Sequence, residues 1–450
     1  MVKKKGPLAS PFVSAEEQPY PIPENWCWEY GVSIFMPMET QKPNGEMFRY
    51  IDIESIDNKQ QAVSEPKEMP VTKAPSRASR KLHSGDTIFS MVRPYLKNIA
   101  YIDETISDAI ASTGFYICTP RENVNSRYNY YMMISPYVVD GLNAFMKGDN
   151  SPSIRKDDIE GFPYPIPPLP EQQRIVDRIE SLFAKLDEAK EKAQTVVDGF
   201  ELRKSAILHK AFTGELTERW RKEHGVGLDS WQKTNIGSIA DVKGGKRVPK
   251  GMSLTTDDTG HPYIKAGNLK LGTVLDEGIM FVTDDVLQYI KNYTVTAGDV
   301  YITNVGACIG DCGIIPDKYD GANLTENAVK ITNLKCNGQF LARYISSNEV
   351  QQRIKNLIAS ATLGKLSIAN IKTISVTLPT DIEQAETIRI LEQLLNKEQQ
   401  AKEAAEAVLA QIDTMKKAIL ARAFRGELGT NDPTEESAAE LLKGNFQHML

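Results

Sequence analysis

Three groups of residues in this 450-residue chain are of types that do chemistry, and each falls short of a complete site. Asp57, Glu65 and Lys67 resemble the carboxylate–lysine set of a metal-dependent nuclease, in which carboxylates hold the ion that stabilises developing charge. Pro66 stands between two of them. Cys308 and Cys312 lie four apart in Gly-Ala-Cys-Ile-Gly-Asp-Cys-Gly. Tetrahedral zinc needs two more ligands, and no neighbouring His or Cys pair supplies them. The pair therefore reads as small core residues. Gly244-Gly245-Lys246-Arg247 fails the spacing of a phosphate-binding loop. The five histidines (83, 209, 224, 261 and 448) form no H-E-x-x-H cluster, and no Asp/Asn-Pro-Pro-Tyr motif for amino methylation is present.

What remains is charge and its distribution. The net charge of −6 does not by itself suggest a polyanion ligand, but a global sum hides local fields. Residues 66–103 hold seven Lys/Arg against three acids, residues 233–250 five against one, and residues 331–372 six against one. Eight acids collect between Glu171 and Glu201. Positive charge is thus grouped in two separated parts of the chain. Read alone, such groups are solvated faces.

Composition sets the class. Hydrophobic residues make up 41% and charged residues 25%, ordinary values for a water-soluble globular chain of two or three domains. No run of 18 apolar residues exists to span a bilayer. Lys3, Lys4 and Lys5 are followed by a stretch broken by prolines and glutamates, which is no signal-peptide core, so a cytoplasmic location is expected. Five scattered cysteines, an odd and sparse count, argue against a disulfide framework.

The elements that would position a site are written twice. Lys204-Ser-Ala-Ile-Leu-His-Lys-Ala-Phe-Thr-Gly-Glu-Leu216 returns as Lys416-Lys-Ala-Ile-Leu-Ala-Arg-Ala-Phe-Arg-Gly-Glu-Leu428, with nine of thirteen positions identical at an offset of 212. Glu171-Gln172 returns as Glu383-Gln384 at the same offset. Gly85-Asp86 returns as Gly298-Asp299, and Tyr50-Ile51 as Tyr263-Ile264, at an offset of 213. Each half opens with about 160 residues of short strand-like segments and turn residues, as in Ile99-Ala-Tyr-Ile102 and Val300-Tyr-Ile-Thr303. A proline-marked stop follows, Pro163-Tyr-Pro-Ile-Pro-Pro-Leu-Pro170 in one half and Leu378-Pro379 in the other.

Then each half carries a long amphipathic helix. Ile175, Ile179, Leu182, Leu186, Ala189, Ala193, Val196 and Phe200 alternate in steps of four and three, the seam of a coiled coil. Leu391, Leu394, Ala401, Ala405, Val408, Ile412, Met415 and Ile419 keep the rhythm in the second half. Residues 171–213 and 383–425 would each reach ~65 Å at 1.5 Å per residue, with Gly214 and Gly426 as stops. A head-to-tail repeat folding back on itself makes the helices antiparallel. The first seam continues from Phe200 to Arg203 and Ile207, and each seam has one charged member, Arg203 in the first and Glu398 in the second. A register in which facing residue numbers sum to 601 sets these two opposite each other, with Leu186 on Met415, Leu182 on Ile419, Ala193 on Val408 and Ile207 on Leu394. The expected fold is α+β: two β-rich α/β domains separated by two long helices that form an antiparallel coiled coil, in a pseudo-two-fold internal repeat. Two basic modules at fixed spacing suit DNA, with phosphate contacts for affinity and base edges for sequence.

Pro167-Pro-Leu-Pro-Glu-Gln-Gln-Arg-Ile-Val176, a heptad helix and Ala211-Phe-Thr-Gly-Glu-Leu-Thr217 together resemble the central region of type I restriction–modification specificity subunits. Ala423-Phe-Arg-Gly-Glu-Leu428 resembles its distal copy, and the two Gly-Asp pairs resemble a strand motif of the target-recognition domains. The second proline stop departs from the pattern, since Thr380-Asp-Ile precedes Glu383. The resemblance implies target-recognition domains over 1–166 and 223–380, a central spacer helix over 167–222, a distal one over 381–430 and a tail over 431–450. It implies a non-catalytic subunit whose two domains each read one half of an asymmetric, interrupted DNA site. Two methyltransferase subunits and two restriction/translocase subunits would be the partners. S-adenosylmethionine, ATP and Mg would belong to those partners, with no cofactor or metal in this chain.

Candidate DNA contacts are Arg77, Arg80, Arg93 and Lys97 in the first half and Lys243, Lys246, Arg247, Asn304 and Lys365 in the second. Arg93, just before Pro94, sits at an expected strand end, and Lys246 and Arg247 follow a Gly-Gly pair suited to close approach to phosphate. Two rival readings stand beside this one. A self-contained nuclease would cut DNA alone with Mg²⁺, and a protein scaffold would bind no duplex at any salt concentration.

Overall fold

The computed structural model describes residues 12–359 and 364–440. Lys3 to Lys5 and residues 441–450, the end of the expected tail, lie outside them. Two compact units emerge, Met1–Ala193 with Ala407–Leu450, and Gln194–Glu406. The division falls within the long helices rather than at their ends, because each stretch of helix is packed into a β-rich domain. Ile175, Val176 and Ile179 share a core with Leu420, Ala423 and Phe424, while Leu208 and Ala211 share one with Ile388, Leu391 and Phe340. No helix among the described residues is long and apolar enough to cross a membrane.

The first unit is framed by β1 (Cys27–Tyr30), β2 (Met47–Ile51), β3 (Lys67–Pro70), β4 (Ala78–Lys81), β5 (Thr87–Ser90), β6 (Ile99–Tyr101), β7 (Ile110–Ser112), β8 (Phe115–Cys118) and β9 (Pro163–Ile166). Sheets run β3-β2-β7-β4, β8-β5-β6 and β1-β9. Strand β5 is buried at every position, as its β-branched and aromatic residues require of a central strand. Two helices follow, α1 (Ser126–Met133) and α2 (Pro136–Asn143). Asn125 caps the first and Ser135 the second, where Pro136 fits the first helical turn.

The second unit contains β10 (Gln232–Asn235), β11 (Asp241–Gly244), β12 (Pro262–Ile264), β13 (Met280–Phe281), β14 (Val300–Thr303), β15 (Cys312–Ile314), β16 (Asn323–Leu324), β17 (Ala328–Thr332) and β18 (Ser375–Leu378). Its sheets run β11-β17-β14-β15, β13-β12-β16 and β10-β18. The repeat in sequence is a repeat in register. Tyr50 pairs in parallel with Ile110, and Tyr263 with Asn323, both partners 213 residues on. Strand β5 lies between β8 and β6 as β14 lies between β17 and β15. Cys312 is buried in this core with its thiol donated to the Ala342 carbonyl at 3.6 Å, the core role expected of it.

The first long helix has two segments, α3 (Leu169–Asp198) and α4 (Phe200–Phe212), and α5 (Glu218–His224) follows it. Later come α6 (Gly338–Ile345) and the unbroken 43-residue α7 (Asp381–Ala423). The interruption is Gly199. Helical hydrogen bonds continue through it, from Gly199 N–H to Thr195 and from Arg203 N–H to Gly199. A side chain at position 199 would strike the Arg203 guanidinium, which lies back over the glycine and donates to the Val196 carbonyl at 2.7 Å. From there Arg203 Nε reaches Glu398 Oε2 at 2.7 Å, the pairing expected from the seam.

The second seam differs from its expected course at every other position. Leu391, Glu398, Ala405 and Ile412 face inward, but Ala401, Val408 and Met415 are exposed. Lys402, Leu409 and Lys416 take their places, partly covered. The physical reason is that a lysine stem is apolar. Lys402 Nζ lies 4.8 Å from the Phe200 ring centroid, and Lys416 Nζ lies 5.0 Å from that of Phe183 with Asp187 at 2.6 Å. Within each unit these contacts are antiparallel, since numbers fall along one helix as they rise along the other.

The repeated Glu-Gln pairs anchor the domains to the helices. Gln172 Oε1 accepts from Asn125 N–H, and its amide donates to Pro167 O at 3.0 Å. Gln384 does the same with Asn337 N–H and Pro379 O. Asn125 and Asn337 cap α1 and α6, so each glutamine ties a domain helix to the start of a long helix. Glu171 accepts from Trp26 Nε1 at 2.8 Å and Glu383 from Trp231 Nε1 at 3.1 Å. Glu180 binds Arg127 and Glu392 binds Arg343, but the two arginines come from non-equivalent positions of α1 and α6. Only the acid side of that clamp repeats at 212.

Candidate nucleic-acid interface

In each unit one hairpin loop follows the strand launched by the Gly-Asp pair. Gly85 and Gly298 turn the chain at φ +94° and +84°. Asp86 accepts from His83 N–H at 2.7 Å, and Asp299 from Thr296 N–H at 2.9 Å. The aspartates therefore close the turns that start β5 and β14. After β5 comes loop 91–98, and after β14 loop 304–311. Both are braced identically from two sides. Met91 N–H donates to Gly114 O and Asn304 N–H to Asn327 O. Ile154 N–H then donates to Met91 O, and Leu366 N–H to Asn304 O.

The first loop gathers three of the four cations expected there. Arg93 is exposed, with its N–H on Pro152 O at 2.8 Å and its guanidinium on Asn150 O at 2.9 Å. Lys97 closes the same loop. Arg77 is exposed beside it, its carbonyl held by Thr113 N–H next to the Gly114 that braces Met91. Arg80 is set differently, on β4 and partly covered, with Nε enclosed and no partner there. The returning segment adds exposed Lys147 and Arg155, brought in by bridges of Ser153 with Val92 and Lys147. Sequence reading missed these two, since only the fold carries residues 147–155 back to loop 91–98.

In the second unit Lys246, Arg247, Asn304 and Lys365 come together. The turn 324–328 receives Gly245 N–H at Ala328 O and Lys246 N–H at Leu324 O, while Asn327 O receives Asn304 N–H. Lys246 Nζ lies 5.5 Å from the Tyr293 ring centroid, and Arg247 pairs with Glu326. Asn304 Oδ1 is enclosed without a partner. Lys243 is on β11 instead, paired with Asp241 at 3.3 Å. The Gly-Gly pair is already engaged by the fold: a side chain at Gly245 would strike the carbonyls of Leu324 and Thr325. Its close approach is to the protein's own backbone rather than to phosphate.

Two further cations of the first basic stretch are neutralised locally. Lys67 binds Asp52 at 2.6 Å and Glu54 at 2.8 Å, and Lys81 binds Glu39 at 2.6 Å. Asp57 accepts from the N–H groups of Lys59 and Gln60, chiefly the latter, and this holds its carboxyl below the usual range. Asp57 and Lys67 are thus engaged with other partners, and the carboxylate–lysine set is not assembled. Two braced loops, one with cations on it and the other with cations beside it, can hold phosphate oxygens and present side chains to base edges.

The profile of a known family, described as the type I restriction modification DNA specificity domain, matches residues 36–196 and 229–408. The chain belongs to the type I restriction–modification DNA specificity family. Among its relatives is the EcoKI specificity subunit of Escherichia coli strain K12, 26% identical over 354 residues, covering 73% of this chain and 72% of that one. The EcoBI specificity subunit of E. coli is 26% identical over 345 residues, covering 72% and 71%. The HsdS subunit of Thermoanaerobacter tengcongensis, a crystal structure, has the same fold, with TM-score 0.71 at 24% identity over 91% of this chain and 99% of its own. Members of this specificity family are recognition components, not catalysts. Both matched segments contain one braced loop, so the specificity domain occurs twice here, each copy with its own loop.

Proposed function

We propose that this chain is the DNA-reading subunit of a type I restriction–modification enzyme and that each unit reads one half of a bipartite, asymmetric site. The observation that carries this is the contrast between the two loops. Their braces are equivalent, but of Met-Val-Arg-Pro-Tyr-Leu-Lys-Asn (91–98) and Asn-Val-Gly-Ala-Cys-Ile-Gly-Asp (304–311) only the valine is shared. One frame with different side chains suits two readers of different sequence. The long helices set the gap between half-sites and dock two methyltransferase subunits, and two restriction/translocase subunits complete the enzyme. The methyltransferase holds S-adenosylmethionine and methylates an adenine turned out of the duplex. ATP and Mg belong to the restriction/translocase subunits.

The division of labour has a direct test. Purified alone, the chain is expected to transfer no methyl group and make no cut in the presence of S-adenosylmethionine, ATP and Mg²⁺. Adding its methyltransferase subunit should produce adenine methylation at one interrupted sequence. Sustained turnover by the isolated chain at a rate proportional to its own concentration would overturn the proposal.

A further inference from the structure

Loop 91–98 is built under backbone strain. Arg93 (φ 49°, ψ 56°) and Lys97 (φ 57°, ψ 37°) are both left-handed, a region that non-glycine residues rarely adopt. Between them lies a single 3₁₀ turn, Pro94–Leu96, whose Pro94 is buried. The strain is held by the surroundings. Leu96 N–H donates to Arg93 O, Lys97 N–H to Pro94 O and Ser90 N–H to Asn98 O. The result is to turn Tyr95 and Leu96 outward, 45% and 39% exposed. Neither side chain belongs to the buried clusters of the unit.

The loop and the segment bridged to it are rich in cations. Residues 87–102 contain no carboxylate, and Asp149 is the one acid in residues 143–156. Arg93, Lys97, Lys147 and Arg155 flank the tip. Cations beside an apolar pair match a duplex, and the family to which the chain belongs favours that ligand over a lipid surface. Cations sit on phosphates while apolar side chains meet thymine methyls or wedge at a base step.

We propose that Tyr95 and Leu96 are specificity-determining residues of the first half-site, while Arg93, Lys97, Lys147 and Arg155 supply sequence-independent phosphate affinity. This rests on the DNA-reading function proposed above and assigns the discrimination within it to two side chains. The strained turn keeps the pair rigid, so discrimination is not lost to reordering on binding.

The test uses the chain assembled with its methyltransferase subunit. Two labelled duplexes are needed: one carrying the sequence found methylated in the host, and one with its first half scrambled. Equilibrium binding is measured by anisotropy at two salt concentrations. The Tyr95→Ser/Leu96→Ser variant should lower the preference for the correct duplex by roughly five- to a hundred-fold, leaving the scrambled duplex unaffected. Arg93→Ala should weaken both duplexes in equal proportion and reduce the salt slope by about one. Tyr95→Phe/Leu96→Met, which keeps an apolar tip, should preserve most of the preference. An unchanged preference in the serine variant, or equal weakening of both duplexes, overturns the proposal. So does a large fall in its melting temperature, which would make the pair structural. If the unmodified complex does not distinguish the duplexes, it is the DNA-reading function that fails.

Discussion

Glu383→Ala is expected to destabilise the Gln194–Glu406 unit by ~3–5 kcal/mol, the range for removing one partner of a buried ion pair. Both side chains of the pair are nearly inaccessible, Arg221 at 7% and Glu383 at 0%. Glu383 Oε1 accepts from Arg221 Nη1 and Thr217 Oγ1, each at 2.7 Å, while Oε2 accepts from Trp231. Alanine leaves the guanidinium buried without its carboxylate. The equivalent Glu171→Ala should cost only ~1–3 kcal/mol, because its partners, buried Trp26 and half-buried Asn431, are neutral. Its companion Arg174 binds Glu435 at 2.8 Å instead. Urea unfolding followed by tryptophan fluorescence measures both. Equal effects, or a loss below ~1 kcal/mol for Glu383→Ala, would contradict this account of the anchor.

Glu29→Gln is expected to stabilise the first unit at pH 8 by ~3 kcal/mol and to have little effect near pH 4.5. Glu29 lies on β1 at 1% exposure, and burial pushes its carboxyl up to about 7, only partly offset by the Cys27 thiol donating to Oε1 at 3.5 Å. Below its ordinary value of 4.5 the group is protonated both folded and unfolded, and burial carries no charge penalty. Between 4.5 and about 7 the unfolded chain releases the proton while the folded chain keeps it, so stability falls by about 1.4 kcal/mol per pH unit. Above about pH 7 the penalty is complete. Glutamine, neutral throughout, removes it. A stability difference between variant and parent that stays constant from pH 4.5 to 8 would rule the mechanism out.

Much of this molecule was legible as a repeat. An offset of 213 links Tyr50-Ile51 to Tyr263-Ile264, and the same parallel ladder forms at both places. Arg203 and Glu398 found each other because a lone charge in an apolar seam needs a partner. Other features were hidden by physics that apolar patterning does not register. Lys402 and Lys416 occupy seam positions because their stems cover phenylalanine rings, yet Val408 and Met415 look better on paper. Trp26 and Trp231 serve the same carboxylate position but are 205 apart, off the offset of the acids they bind. Gly245 looked like room for phosphate and is filled by Leu324 and Thr325. Loop 91–98 was only half visible. Arg93 and Lys97 stand out as charges, but Tyr95 and Leu96 look like core until the left-handed residues on either side turn them out.

The two units are expected to read independently. Residues 228–378 should be exchanged for the corresponding segment of a relative with a different recognition sequence. Adenine methylation across a genome is then mapped with the hybrid and its methyltransferase subunit. The expected site keeps one half and the gap and changes only the other half to the relative's. Change in both halves, or retention of the original site, would contradict it.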